Sequence, residues 1–164
     1  MASFVDRLLA HLVDGAVFVA VGAVLTIPAI IIYFTVIEPD LFEVRPDGTV
    51  AEPDFFEFLV SLLVMYAVIF AISFVLAYIY YVEMMFRSGQ TVGKKIMKIK
   101  VVPLDPAAAL SRGDAAKRFL VQQIAGGLVP FFSYVDGLWQ LWDKPYQQCL
   151  HDKFAKTVVI KVSA

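Results

Sequence analysis

Residues 58–82 read FLVSLLVMYAVIFAISFVLAYIYYV, a run of 25 positions without a charged side chain. A second uncharged run, of 23 residues, occupies positions 15–37. At a rise of about 1.5 Å per residue, either run is long enough as a helix to cross a hydrocarbon core about 30 Å thick. The sequence therefore predicts an all-α membrane protein with two transmembrane helices, at about 3–37 and about 55–85.

The overall composition favours the same class of protein. The 164 residues are 60% hydrophobic and only 18% charged, which leaves no room for a separate soluble domain. We therefore expect a single membrane domain over 1–164. The first uncharged run is longer than the apolar core of a signal peptide, which has about 7–15 residues, so we expect it to stay attached.

The charges are segregated along the chain, and their distribution predicts the topology. The segment 38–57 holds one base, and its seven acids are Glu38, Asp40, Glu43, Asp47, Glu52, Asp54 and Glu57. Eight of the 14 basic residues lie between Arg87 and Arg118. Because loops rich in Lys and Arg stay cytoplasmic, we expect the loop 38–56 outside. The N-terminus, the strand and loop segment 86–117 and the tail 143–164 should be inside.

This topology implies a location and a first partner. The chain would be a multi-pass protein of the plasma membrane with a cytoplasmic N-terminus. The lipid bilayer is then its first partner, and the basic segment 86–117 would meet the anionic inner leaflet.

The third hydrophobic segment, 118–142, allows two interpretations. It is apolar but contains Gln122, Gly126, Pro130 and Asp136. A full third crossing would carry the Lys-bearing tail outside, against the charge bias. A re-entrant hairpin of two half-helices meeting near 126–130 would return the tail to the cytoplasm, and this is the interpretation we favour.

Two short runs have the character of β-strands. Residues 96–102 alternate between apolar and basic side chains, and residues 157–162 are rich in Val and Ile, as is typical of strands. An unpaired strand leaves backbone groups exposed along its edge, so we expect the two runs to pair as one small cytoplasmic sheet.

Ser3 and Ser111 each precede an acid by three residues, which is the spacing of a helix-capping pair.

Several charged residues lie close to apolar segments, where an unpaired charge is costly. Arg7, His11 and Asp14 share one face of the first helix, because their spacing is i, i+4 and i+7. Asp14 and Arg7 could hold an ion or carry a proton, or Asp14 could simply pair with a base where water is near. We predict one ion-pair network at the inner interface, and its members are Arg7, Asp14 and Asp152 with either Glu83 or Arg118.

Asp136 is the remaining acid near an apolar segment, with Tyr134-Val135 before it and Gly137-Leu138 after it. A re-entrant hairpin would bury its carboxyl group. Two roles are open for it: a polar anchor of the hairpin, which is the favoured one, and a proton relay.

The stretch 89–95, GQTVGKK, superficially suggests a phosphate-binding loop. Three residues lie between its glycines where a P-loop has four, and no Ser or Thr follows the lysine, so it lacks the P-loop pattern. It is better interpreted as a turn that brings a basic strand to the inner leaflet. The candidate residues of this turn are Gln90, Thr91, Gly93 and Lys94.

Metal and catalytic sites are not indicated by the remaining residues. Cys149, His151 and Asp152 are close in sequence, but their spacing matches no common zinc site. No set of nucleophile, base and orienting group can be assembled from so few candidates. We therefore expect no metal, no cofactor, no enzymatic activity and no nucleic-acid partner.

The dispersed polar residues resemble the signature of the RDD family, membrane proteins named for an arginine and two aspartates. The opening FVDRLLAHLVD at 4–14 is similar to the start of that family, with Arg7 and Asp14 as the named arginine and the first aspartate. The turn and strand at 89–102 resemble a second motif, and Arg118 matches the arginine that opens the family's third hydrophobic segment.

The terminal motif LHDKFAKTVV at 150–159 extends the resemblance to nearly the whole chain. It offers His151, Asp152 and Thr157 as candidates, with Asp152 matching the second aspartate. One departure is Lys156, where a glycine before the threonine is usual in the family, and we expect it to alter a turn only. The resemblance implies a limited functional statement, because the molecular role of the family is unsettled and transport of ions or small ligands has been suggested for it.

Two functions therefore compete. The first is a non-enzymatic membrane adaptor or accessory subunit, whose cytoplasmic motifs dock on, assemble or regulate a membrane-protein partner or a second copy of the chain. The second is a cation or proton exchanger, or a small-ligand transporter, with Asp14, Asp136 and Arg7 in the path. Two spanning helices and a hairpin cannot enclose a pathway without oligomerisation, which favours the first.

Overall fold

The two uncharged runs form the two longest helices of the chain. A computed structural model describes residues 1–39, 44, 46, 48, 49 and 54–162. Helix α1 spans Phe4–Ile32 and continues as a π-helical turn at Tyr33–Ile37. Helix α2 spans Phe55–Tyr78, and a π-helical turn at Ile79–Glu83 joins it to α3, Met84–Ser88.

Both long helices satisfy the length and composition required of a membrane span. Over Phe4–Ile37 and Phe55–Ser88, only 6% and 0% of the most apolar windows are buried inside the protein. The core helix of a soluble protein would hide such side chains from solvent, so this exposure points to lipid as their natural surroundings.

The remaining elements are short and alternate between helix and strand. Helix α4 spans Val92–Ile96 and strand β1 spans Ile99–Pro103. Helix α5 spans Arg112–Phe119 and leads through a π-helical turn at Leu120–Ala125 into α6, Gly126–Leu128. Helices α7, Phe132–Trp139, and α8, Leu150–Phe154, precede strand β2, Thr157–Lys161.

The described residues form two compact units. The polar unit comprises Met1–Ala16 together with the described residues from Leu76 onward, and the span unit is Val17–Val75. Within the span unit, the buried Tyr33 hydroxyl lies 2.8 Å from Ser61 Oγ, and Ser61 donates to Glu38 Oε1 at 2.6 Å. This hydrogen-bonded chain links the end of the first uncharged run to α2.

The predicted pairing of the two strand-like runs is confirmed. Strands β1 and β2 are antiparallel, with Val101 opposite Val159. Ile99 and Val101 are buried while Lys98 and Lys100 are exposed, as the alternation indicates. The N-terminus is bonded to β2, because the Ala2 amide donates to the Val159 carbonyl at 2.9 Å.

The predicted start of the first strand is wrong by three residues. Ile96 ends α4, and Lys98 adopts the left-handed conformation with φ of 52°, so the chain turns before β1 begins at Ile99. Alternation of apolar and basic side chains over 96–98 imitates a strand there. Helices α4 and α8 have five residues each, too few for a periodic pattern to indicate them.

The third hydrophobic segment is broken where its glycines and proline predict a break. After α6 the chain leaves the helical conformation at Val129, and Phe131 has a φ of 62°. Helix α7 then packs against α6 and α8.

The helix-capping pairs are also confirmed: the Asp6 amide donates to Ser3 Oγ at 3.2 Å and the Asp114 amide to Ser111 Oγ at 3.1 Å. Of the predicted outside loop, positions 40–43, 45, 47 and 50–53 lie outside the described residues.

Candidate functional site

Asp152 lies between two arginines in the polar unit. Its Oδ2 is 3.1 Å from Nη1 of Arg7, its Oδ1 accepts from Nη1 of Arg118, and Arg118 also bonds the Thr157 hydroxyl. The side chains of Asp152, Arg118 and Arg7 are 0%, 3% and 8% exposed. We call Arg7, Asp152 and Arg118 the Asp152 triad. It connects α1, α5 and α8.

The electrostatics of the triad keep Asp152 ionised. Burial by itself would raise the pKa of the carboxyl group, but the Arg118, His151 and Arg7 charges outweigh it and hold the pKa well below its usual range. The same carboxylate serves α8 locally, because Oδ2 accepts from the Cys149 amide at 3.1 Å at the start of that helix. A neutral side chain at position 152 would leave two buried guanidinium groups without a counter-charge.

Asp14 forms a second buried cluster, and it is 1% exposed. Its carboxylate accepts from the Tyr80 hydroxyl at 2.6 Å, the Thr91 hydroxyl at 2.6 Å and the Gly93 amide at 2.7 Å. Lys94 Nζ lies 4.0 Å from Oδ2. Three neutral donors and one cation therefore satisfy this acid.

Gly93 is required at this contact by space. A Cβ atom built there would lie 2.0 Å from the Ala10 carbonyl oxygen and 2.8 Å from Asp14 Oδ1. The backbone of α4 thus approaches α1 as closely as a glycine permits. This close approach is what brings the Gly93 amide within hydrogen-bonding distance of Asp14.

The third buried acid, Asp136 on α7, pairs with His151 on α8. Asp136 Oδ2 lies 2.6 Å from His151 Nδ1, and Oδ1 accepts from the His151 amide at 2.8 Å. The other ring nitrogen, Nε2, is 3.7 Å from Asp152 Oδ1. His151 therefore lies between two carboxylates and joins the second half of the third segment to the Asp152 triad.

A cavity of about 440 Å³ opens beside these groups, within the size range of small-molecule sites. Its polar lining combines the Asp152 triad and the Asp136–His151 pair with further residues of α1, α4, α7 and the π-helical turn after α5. The polar lining residues include Arg7, His11, Lys94, Arg118, Gln122, Gln123, Ser133, Asp136, Gln140, His151 and Asp152. Burial, and after it the Arg118 charge, lowers the pKa of Lys94 to about 8. Three buried polar atoms of this lining have no hydrogen-bond partner among the described residues: Arg7 Nε, Arg118 Nε and Gln140 Oε1.

The structure brings together most of the residues that the sequence singled out. The Asp152 triad contains three of them, Thr91, Gly93 and Lys94 gather around Asp14, and Thr157 contacts Arg118. Gln90 lies beside the sheet and donates to the Ile99 carbonyl at 2.9 Å. The functional roles of these residues stay predictions.

The predicted network offered Glu83 and Arg118 as alternatives, and Arg118 is the one that pairs with Asp152, while Glu83 lies elsewhere. It contacts neither Arg7 nor Arg118 in any ion pair of the described residues; its partners are Arg87 at 2.8 Å and Arg112 at 3.0 Å. Asp14 lies in a separate cluster, where its cationic partner is Lys94, whereas Arg7 pairs with Asp152. Two site residues were missed. Tyr80 lies among other tyrosines at positions 78 and 81, so its type alone does not distinguish it, and nothing in the sequence marks Gln140.

The chemistry of the cysteine cluster opposes metal binding. Possible ligand atoms of Cys149, His151 and Asp152 lie within 4.8 Å of one another. Burial, followed by the Asp152 charge, raises the pKa of the Cys149 thiol to about 12, so without a metal the sulfur is a protonated thiol. The Asp152 carboxylate is already bonded to two guanidinium groups, whose positive charges repel a cation.

Comparison with known proteins gives one result. The model of the RDD family matches residues 1–156, essentially the whole chain, and the chain therefore belongs to the RDD family. No curated protein and no solved structure matches it. Family membership and the two apolar helices together point to a membrane protein.

Proposed function

We propose that this RDD-family member is a non-enzymatic membrane adaptor, anchored by its two apolar helices, whose polar unit docks on a membrane-protein partner at the cytoplasmic face. The observation that carries the proposal is where the ionisable groups lie. Positions 15–37 and 58–82 hold no charged side chain, whereas Asp14, Asp152 and Asp136 are all buried in the polar unit and bonded there.

This distribution favours a rigid platform over an ion path. The three acids tie together α1, α4, α5, α7 and α8, the elements that a docking surface needs to hold in place. An ion path through a single chain would need charged groups along its spans. Positions 15–37 and 58–82 contain Ser, Thr and Tyr but no acidic or basic side chain. The plasma membrane with a cytoplasmic N-terminus is the location that the charge bias favours.

The third segment supplies an apolar surface suited to a partner or to the membrane interface. Phe131, Tyr134 and Trp142 are 77%, 70% and 74% exposed, and Phe154 on α8 is 70% exposed. Exposed clusters of large apolar side chains mark interaction surfaces, and Trp and Tyr are the residues preferred where apolar and aqueous regions meet. A re-entrant placement of 118–142 agrees with the helix break at Val129–Phe131.

Photo-crosslinking in intact cells tests the docking directly. A photoreactive amino acid replaces Tyr134 or Phe154 in the full chain, and the matched control carries it at exposed Lys117. We expect a discrete crosslinked product, to one membrane protein or to a second copy of this chain, from the first two positions only. Crosslinks to lipid alone at both positions would reject the adaptor.

The exchanger is the second candidate, and the buried Asp136–His151 pair on the cavity is the observation that favours it. A flux assay on purified protein in liposomes, driven by Na⁺ or pH gradients, separates the two functions. The adaptor predicts no flux above protein-free liposomes. Flux that is abolished by Asp14→Asn and retained by the control Asp105→Asn in an exposed loop would establish the exchanger instead.

A further inference from the structure

The cavity of the polar unit is lined by more cationic donors than its own acids use. Arg7 and Arg118 share the single carboxylate of Asp152, and Lys94 Nζ approaches Asp14 no closer than 4.0 Å. Asp136 is matched by His151. The walls therefore contain three basic side chains, Arg7, Arg118 and Lys94, and among the described residues Asp152 is the one lining acid that is left to balance them.

The unpartnered atoms of the lining indicate what is missing from the cavity. The Nε groups of Arg7 and Arg118 are donors with no acceptor in the described part of the chain, and the two side chains are only 8% and 3% exposed. A buried donor left without a partner destabilises the protein, and an acceptor supplied by a ligand removes that penalty. Arginine side chains supply five N–H donors in a fixed fork that matches phosphate oxygens.

Gln140 adds a complementary feature at the same cavity. Its Nε2 donates to the Gly137 carbonyl at 2.8 Å, which orients the amide and leaves Oε1 buried without a donor. The residue is 6% exposed and lines the cavity. An acceptor at this position suits a ligand that carries a hydroxyl or an ammonium group in addition to its anionic part.

We propose that this cavity binds a phosphate-bearing ligand, with the phosphate held by Arg7, Arg118 and Lys94 and a hydroxyl or ammonium group of the ligand donating to Gln140. Three donors on three side chains suit a tetrahedral phosphate better than a carboxylate, which offers two oxygens in one plane. The ligand is a soluble phosphate ester or the headgroup of a phospholipid, which share this chemistry. Bound phosphate would also relieve the repulsion between Lys94 and Arg118 that helps to lower the pKa of the amine.

The lysine pair on α4 provides matched variants. Lys94 lines the cavity with its side chain 13% exposed, whereas the adjacent Lys95 is exposed and does not line it. Lys94→Gln therefore removes a cation from the site, and Lys95→Gln removes the same charge from the surface. Gln140→Glu places a negative charge at the orphan acceptor, and Arg7 and Arg118 are left intact because the Asp152 triad holds the fold.

Binding is measured on the full chain, delipidated in a non-ionic detergent. Titration calorimetry uses glycerol 3-phosphate as the soluble probe and succinate as the carboxylate probe. Native mass spectrometry measures retention of phosphatidylglycerol against diacylglycerol, which lacks the phosphate. Melting temperature and size-exclusion profile verify that each variant is folded.

We expect the wild-type chain to bind glycerol 3-phosphate, or to retain phosphatidylglycerol over diacylglycerol, and the arm that responds identifies the source of the phosphate. Lys94→Gln and Gln140→Glu should each weaken that binding about tenfold or more, and Lys95→Gln by no more than about twofold. The proposal is overturned if neither phosphate probe binds, if the three variants behave alike, or if succinate binds as tightly as glycerol 3-phosphate.

Discussion

Neutralising Asp152 should destabilise the protein more than any other single charge removal. Asp152→Asn keeps the shape of the side chain but removes the counter-charge of Arg7 and Arg118, whose side chains are 8% and 3% exposed. Breaking a buried ion pair by removing one partner costs about 3–5 kcal/mol. A domain of this size has a total unfolding free energy of about 5–15 kcal/mol, so the loss is a large share of it.

The expected fall in melting temperature follows from that free energy. One kcal/mol corresponds to about 2–4 °C for a chain of this length, so Asp152→Asn should melt about 10 °C below the parent. The measurement is thermal unfolding in detergent, followed by intrinsic tryptophan fluorescence. Glu83→Gln is the control, because its partner Arg87 is 73% exposed, and it should melt close to the parent.

A triple variant tests the physical reason for the loss. Arg7→Met, Asp152→Leu and Arg118→Met together replace the triad by apolar side chains, and such replacements are often neutral or stabilising. The triple variant should therefore be more stable than Asp152→Asn alone. A fall of less than about 2 °C for Asp152→Asn, or a triple variant less stable than the single one, would refute the role assigned to the triad.

Four further outcomes are expected. Gly93→Ala should lower the free energy of unfolding in urea by about 1–3 kcal/mol, because its Cβ would lie 2.0 Å from the Ala10 oxygen. The control Gly15→Ala, whose Cβ would meet nothing within 4 Å, should not destabilise the protein. Equal losses of stability in the two variants would contradict the close approach at Gly93. Lys156→Gly should raise the free energy of unfolding by up to about 1 kcal/mol, since Lys156 has a φ of 52°. The control Lys161→Gly, within β2, should lower it. A loss of stability in both variants would show that the left-handed turn is not strained. Cys149 is only 4% exposed, and its thiol pKa is raised to about 12. It should therefore react with iodoacetamide at pH 8 at least about 100-fold more slowly in the folded than in the unfolded chain. Equal reaction rates, measured by mass spectrometry, would disprove its burial. The pKa of Lys94 is about 8 in the folded chain against 10.5 in the unfolded chain, so between these pH values the unfolded state binds more protons and the free energy of unfolding should increase with pH. Lys94→Gln should remove this increase from melting curves recorded over that pH range. An unchanged pH dependence would contradict the assignment.

Much of the architecture was predictable because it depends on local rules. Length and lack of charge were enough for the two apolar helices, and β-branched or alternating residues for the strand pair. Acid spacing was enough for the caps at Ser3 and Ser111. The exact start of β1 was not predictable, because the left-handed turn at Lys98 occurs at a residue that rarely adopts it. Lys156 has the same conformation, which explains why a glycine suits that position.

The short helices could not be predicted because tertiary contacts, rather than periodicity, stabilise them. Five residues form little more than one turn, and such a helix is unstable on its own. Helix α4 is held by the Asp14 carboxylate on the Gly93 amide, and α8 by Asp152 at its first turn. In both cases the residue that stabilises the helix was recognised in the sequence, but the contact that it makes was not.

The sequence alone did not predict which acid pairs with which base. Arg7 and Asp14 share a helix face but are seven residues apart, about 10.5 Å along the axis, which is too far for a direct bond. Glu83 and Arg87 are four apart, the spacing at which side chains on a helix meet, and this rule alone assigns Glu83 to Arg87. With Glu83 occupied and Asp14 out of reach, Asp152 is the acid that Arg7 and Arg118 bond. Helical spacing excludes these wrong pairs. Arg7 and Asp152 are 145 positions apart in the sequence, so only the tertiary fold brings the right pair together.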